Sequence, residues 1–251
     1  MTKKLSLFTV LTVIILSLAA CTVSSSNDDL DLLDDNKTVF ENGTGKESQT
    51  VKVSEETKPD QTKKPEETKI EYQFTEEGII VPEQAEMIIK DTAEVVIKAI
   101  SEKDMATLAE FVHPEKGVRF TPYTYVSPER DIVFNKNQIE NFFQDENTYL
   151  WGFYDGIGDE INLTPTEYFD EFVYTSDFIN AEEVGYNTVL SFGNALENQF
   201  EVYENPIIVE YYFPGFNPEY AGMDWQSLRL VFEEYEGKWY LTGIIHNQWT
   251  I

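Results

Sequence analysis

Few side chains in this sequence are of a type that does chemistry near neutral pH. The two histidines, His113 and His246, are the groups whose ordinary titration lies there. His113 precedes Pro114 at the end of a helical stretch, where capping the last carbonyls suits it better than acting as a base. His246 stands late in the chain, where a hairpin brings it near Ser227 and Arg229. A serine beside a histidine suggests nucleophilic catalysis, but that chemistry also needs an acid to orient the base and donors for an oxyanion. The sequence places neither. His246, Arg229, Ser227 and His113 are therefore candidates for contact with a ligand or partner, and no catalytic residue is assigned.

Two other patterns invite a metal. Asp155-Gly-Ile-Gly-Asp-Glu160 offers carboxylates around a glycine turn, as hard cations require. Its register fails, because an EF-hand loop starting at Asp155 needs glycine where Glu160 stands and glutamate where Thr166 stands. A solvated turn is the expectation. With one cysteine and two histidines there is no zinc cluster and no intrachain disulfide, so neither metal nor cofactor is expected.

The balance of 46 Asp and Glu against 18 Lys and Arg gives a formal charge of -28. That field repels phosphates, which excludes nucleic acid and polybasic membrane binding. The 41% apolar content is enough to bury a core.

The N-terminus reads as an address. Lys3 and Lys4 precede the uncharged run Leu5 to Ala20, which is short of the about 20 apolar residues that span a bilayer. The run ends Leu18-Ala19-Ala20-Cys21, which resembles a bacterial lipobox, and that resemblance implies cleavage before Cys21 and its diacylation. Two acyl chains supply the paired signal that stable anchoring requires. Residues 1–20 are thus expected to be a lipoprotein signal peptide, with the mature chain held on the outer face of the bacterial membrane through Cys21. Residues 21–75 are rich in Ser, Thr, Asp, Glu, Lys and Pro, and lack apolar periodicity. They read as a disordered acidic tether with an end-to-end distance of about 40 Å.

Residues 76–251 hold nearly all the aromatic residues and form the expected domain. A helix is predicted from Pro82 to Ile100, with Ala85, Ile88, Ile89, Val96, Ala99 and Ile100 on one face. Asp104 caps a second helix, Asn135 and Thr164 begin two more, and strands are expected at Val118 to Tyr123 and Tyr149 to Tyr154. The end is β: Ile207 to Phe213, Leu228 to Tyr235, and Trp239 to Trp249 around a Glu236-Gly237 turn. Helices first and antiparallel strands last make an α+β domain.

An unbroken ladder from that turn pairs Phe232 with Leu241, Leu230 with Gly243 and Leu228 with Ile245 on a greasy face. The other, mixed face pairs Arg229 with Ile244 and Ser227 with His246. The greasy face has the stronger claim on the core, so the mixed face is expected outside, where a partner could dock and His246→Ala would barely change stability. Turned inward instead, His246 and Arg229 would line a pocket suited to a carboxylate.

The long helix, the stretch Lys103 to Pro114 and the closing Glu236-Gly-Lys-Trp-Tyr-Leu241 strand resemble the NTF2-like superfamily. That resemblance implies a long N-terminal helix and shorter ones packed on a curved antiparallel sheet, forming a cone. The stretches His113 to Phe120 and Met223 to Phe232, with Trp249 to Ile251, are similar to a group of uncharacterised lipoproteins of Bacillus-type bacteria. NTF2-like relatives divide between non-catalytic binding modules and enzymes whose cone holds an Asp/His or Asp/Tyr pair. The expected role is non-catalytic binding of a small ligand or cell-envelope partner. The alternative is a cone-cavity enzyme, which would place a buried carboxylate within reach of His113 or His246.

Overall fold

A computed structural model describes residues 71–250. The expectations for the signal segment, for Cys21 and for the tether up to residue 70 lie outside the described residues.

Helix α1 (Pro82–Ser101) starts with proline in its first turn, where no N–H is needed. Its buried face is Ala85, Ile89, Ala93, Val96, Ile97, Ala99 and Ile100, spaced by three and four residues. Ile88 is only partly buried. Asp104 accepts a hydrogen bond from the Thr107 N–H at 3.0 Å and caps α2 (Met105–Ala109). Two further helices begin with reciprocal capping boxes: α3 (Lys136–Glu140) at Asn135 and Gln138, and α4 (Pro165–Tyr168) at Thr164 and Glu167. A π turn over Phe169–Val173 continues α4, and α5 (Gln199–Val202) is one short turn.

The strands are β1 (Val118–Thr121), β2 (Ile132–Phe134), β3 (Tyr149–Phe153), β4 (Glu160–Leu163), β5 (Glu183–Tyr186), β6 (Ile207–Phe213), β7 (Gln226–Tyr235) and β8 (Lys238–Gln248). Six form a curved, mostly antiparallel sheet in the order β2-β1-β8-β7-β6-β5, and β3 and β4 make a separate hairpin. The expected strand at Tyr149 to Tyr154 is therefore not part of the main sheet. Its hairpin closes through Asp155 to Asp159, an exposed turn as expected. The mixed α+β class holds. The pairing of β1 with β8 is parallel, because the chain leaving α2 already runs beside β8, with the Leu241 N–H donating to the Phe111 carbonyl and the His113 N–H to the Leu241 carbonyl.

The last hairpin departs from the unbroken ladder. Tyr235 faces Lys238 and Phe232 faces Leu241, but the register then slips and Val231 faces Gly243. Thr242 is the extra residue of a bulge. From there Leu230 faces Ile244, Arg229 faces Ile245, Leu228 faces His246 and Ser227 faces Asn247. A one-residue slip exchanges faces. Ile244 accordingly joins Leu228, Leu230, Phe232 and the helices in the main core, whereas Ile245 joins Val126, Tyr203, Ile208 and Val231 in a second cluster. Both faces of the sheet's centre are buried, which overturns the expected outer face.

The described chain also reaches ahead of the boundary expected at residue 76. Phe74 pairs with Ile80, Gln73 N–H donates to Gln84 at 2.7 Å, and Tyr72 sets its ring edge against Trp239 while its hydroxyl donates to Glu234. Residues 71–75, read as tether from their composition, pack on the domain.

Candidate functional site

The structure separates the four sequence candidates. Ser227 and Arg229 lie on the second face, His246 on the core face, and His113 at the β8 end of the α2 exit.

Arg229 is fully buried in a charge network. Its Nε lies 3.1 Å from Glu210 Oε1, its cross-strand neighbour, and its terminal nitrogens donate to Thr124 Oγ1 at 2.8 Å, to Ser191 Oγ at 3.0 Å and to Glu197. Ser191 donates to Glu210, lies 3.0 Å from Ser227 Oγ and accepts from Asn247 Nδ2 at 3.3 Å. Leu190 N–H also donates to Glu210, at 2.7 Å. These bonds clamp the irregular segment from Asn187 to Asn198 across β6, β7 and β8, and that segment is what covers the face expected to be open. Arg229 does meet acidic groups, but they are its own chain's, and Ser227 has a serine rather than a histidine beside it.

His246 is buried against Phe172, ring centroids 5.8 Å apart and edge to face, and neither ring nitrogen has a hydrogen-bond partner among the described residues. Desolvation pushes its pKa down to about 4, so the ring is neutral at pH 7. His113 does not cap the carbonyls of α2. Its Nδ1 accepts from the N–H groups of Glu115 at 3.2 Å and Lys116 at 3.0 Å, which it can do only as the neutral imidazole. Burial, then the Lys116 charge, hold its pKa below the usual value. Among the described residues neither histidine ring bonds a carboxylate, and no group of acidic and histidine side chains is arranged to hold a metal ion.

An apolar concavity lies elsewhere in the domain. The β1–β2 connection, Pro122 to Asp131, and strand β3 enclose a cleft of about 360 Å³. Pro122, Tyr123, Tyr125, Leu150, Trp151 and Phe153 wall it, and Ser127, Arg130 and Asp131 stand at its edge. Tyr125, Leu150 and Phe153 are each nearly half exposed, an unusual cost for three large apolar groups in one place. The wall is rigid from behind: Trp151 stacks on Tyr168 at 3.8 Å, Tyr168 on Phe172, and the Trp151 indole N–H donates to the Leu163 carbonyl at 2.9 Å. Gly152 sits at φ +156°, where a bulge lets β3 pass within reach of Pro122.

Asp131 shapes the loop that forms the rim. Its Oδ2 accepts from Thr121 Oγ1 at 2.8 Å and from the Ser127 N–H at 2.9 Å, closing the turn over Pro128 and Glu129. Burial pushes its pKa above the ordinary carboxylate value, against those bonds and the charges of Arg119 and Arg130. A concave apolar site with a few convergent polar groups and a shifted carboxyl is the arrangement ligand sites share. Two more polar hollows, of about 290 and 380 Å³, flank the 2.9 Å Lys116–Glu233 ion pair, which already satisfies them.

Comparison with family models, with curated proteins and with solved structures finds no match for this chain. Its function therefore rests on its own geometry. Sequence reasoning passed over the cleft, since Asp131 is one acid among 46 and Tyr125, Leu150 and Phe153 meet only through the fold. A usable signal was Arg130, because Arg119, Arg130 and Arg229 are the only arginines in the chain.

Proposed function

We propose that this protein is an exported lipoprotein, anchored through Cys21 to the outer face of a bacterial membrane, whose NTF2-like domain binds a small amphipathic ligand without transforming it. The observation that carries the binding reading is the cleft: Tyr125, Leu150 and Phe153 are left open to water around a concavity edged by Arg130 and Asp131. A concave site favours a small ligand over a flat envelope partner. The anchor reading rests on Lys3, Lys4 and the Leu18 to Cys21 motif. The cone-type reading is supported by a long helix ahead of a curved sheet, with shorter helices between its strands and its two longest strands at the end. The enzyme alternative needs a histidine and a carboxylate together, and His113 and His246 are otherwise engaged or wholly buried.

Two measurements test this. Cells fed an alkynyl fatty acid should label the wild type in the membrane fraction, and Cys21→Ser should lose the label and keep its signal segment; unlipidated mature wild type in the medium would refute the anchor. Calorimetry with naphthalene-sized amphiphiles should show binding that Leu150→Asp and Phe153→Asp each weaken at least about tenfold, as expected when a charge replaces apolar contact. Equal binding by both variants would move the site elsewhere.

A further inference from the structure

The polar groups of this cleft are unevenly spent, and the following rests on the cleft being the ligand site. Asp131 has one oxygen committed to Thr121 and Ser127, and its partial burial holds the carboxyl toward its neutral form. The charged or titratable groups facing it are Arg119 from β1, Arg130 beside it, Tyr168 from α4 and Tyr203 after α5. Arg130 is the reverse case. Its Nε donates to Ser127 Oγ at 3.1 Å, which holds the guanidinium at the rim, and its terminal N–H groups, on an exposed residue, face solvent with no protein acceptor among the described residues. The other two arginines are occupied, Arg119 by the Ser127 and Pro128 carbonyls and Arg229 by its buried glutamates.

An apolar wall beside a solvent-facing planar fork of donors suits a ligand with an apolar body and a planar pair of acceptors. We propose that the cleft takes a small carboxylic acid with an apolar body, its carboxylate paired bidentately with Arg130 and its body against Tyr125, Leu150 and Phe153. The charge of -28 does not forbid this, because charges beyond the Debye length of about 8 Å are screened while a contact pair is not. A fatty acid and an aromatic acid share this chemistry.

The test is calorimetry on the full-length, detergent-solubilised protein with 2-naphthoate, 2-naphthamide and 2-naphthylmethylammonium, followed by decanoate. The acid should bind about tenfold or more tightly than the amide, and the ammonium more weakly still. Arg130→Gln should erase the preference for the acid over the amide, and Arg130→Lys should keep part of it. Melting curves of both variants check that the fold persists. If the amide or the ammonium binds wild type as tightly as the acid, or if Arg130→Gln keeps the preference, the carboxylate assignment falls and the cleft reading stands. If neither a naphthalene probe nor decanoate binds, both fall. Decanoate tighter than naphthoate identifies the aliphatic class, and the reverse the aromatic one, each within the proposal.

Discussion

His246 faces Leu228 across the final hairpin, one residue out of step with the Ser227 partnership of an unbroken ladder. The extra residue is Thr242, and its bulge carries the imidazole from the mixed face into the aromatic core beside Phe172. No Ser–His pair forms, and a residue read as a surface contact becomes a packing residue.

His246→Ala should therefore cost more than about 2 kcal/mol in a urea titration at pH 7, the size typical of a cavity in a core. The same burial predicts a pH dependence. A pKa lowered from 6.5 to about 4 means that the unfolded chain binds a proton the folded chain excludes. The contribution of His246 is complete above about pH 6.5 and is lost as pH falls toward 4, by up to about 3 kcal/mol. His246→Met should flatten that decline, and parallel pH curves for the two proteins would sink the assignment.

Tyr203 lies over Gly243, where the chain leaves the bulge. A Cβ on Gly243 would clash with the Tyr203 hydroxyl oxygen and stand 2.9 Å from Cζ. Gly243→Ala should destabilise by about 1 to 3 kcal/mol, as overpacking does. The hydroxyl is buried without a partner, so Tyr203→Phe alone should be neutral or stabilising. In the double variant part of the loss should return; strict additivity of the two effects in thermal melts would show that the hydroxyl is not the obstacle.

Arg229→Met strips the counter-charge from Glu210, which is itself fully buried. A loss of about 3 to 5 kcal/mol is expected, since an uncompensated buried charge costs more than the ion pair gains. Adding Glu210→Gln should recover a good part of it. Chemical denaturation of the three variants measures the coupling, and an Arg229→Met protein as stable as wild type would mean that the network contributes nothing.

A chain beginning at Glu71 should melt a few degrees above one beginning at Glu76. Tyr72 packs against Trp239 and Phe74 bridges to Ile80 through the backbone, and losing such half-buried contacts costs about 1 to 2 kcal/mol. Identical melting temperatures would return the boundary to residue 76.

Much of the local structure was legible because its signals are local. Pro82, Asp104, Asn135 and Thr164 start helices through their own backbones and side chains, and the spacing of α1's apolar residues marks its buried face. Strands β6, β7 and β8 were visible as apolar runs around a Glu236-Gly237 turn. Strands β2, β4 and β5 were not, being three or four residues long and held by neighbours distant in sequence. The same holds for the cleft. Arg130 and Asp131 come from one connection and Leu150 and Phe153 from another strand, so no sequence spacing records their meeting.

By itself, then, the sequence determined the acidic character, the α+β class, the helix starts and the turn of the last hairpin, all properties of single residues or near neighbours. Tertiary structure alone decided which way His246, Arg229 and Ser227 point. A ladder has a period of two, so one bulged residue exchanges every face beyond it, and a bulge is chosen by what both faces must pack against. Here one face meets the helices and the other the Asn187 to Asn198 segment, and the register that satisfies both buries all three residues, leaving the Tyr125–Phe153 cleft open to solvent.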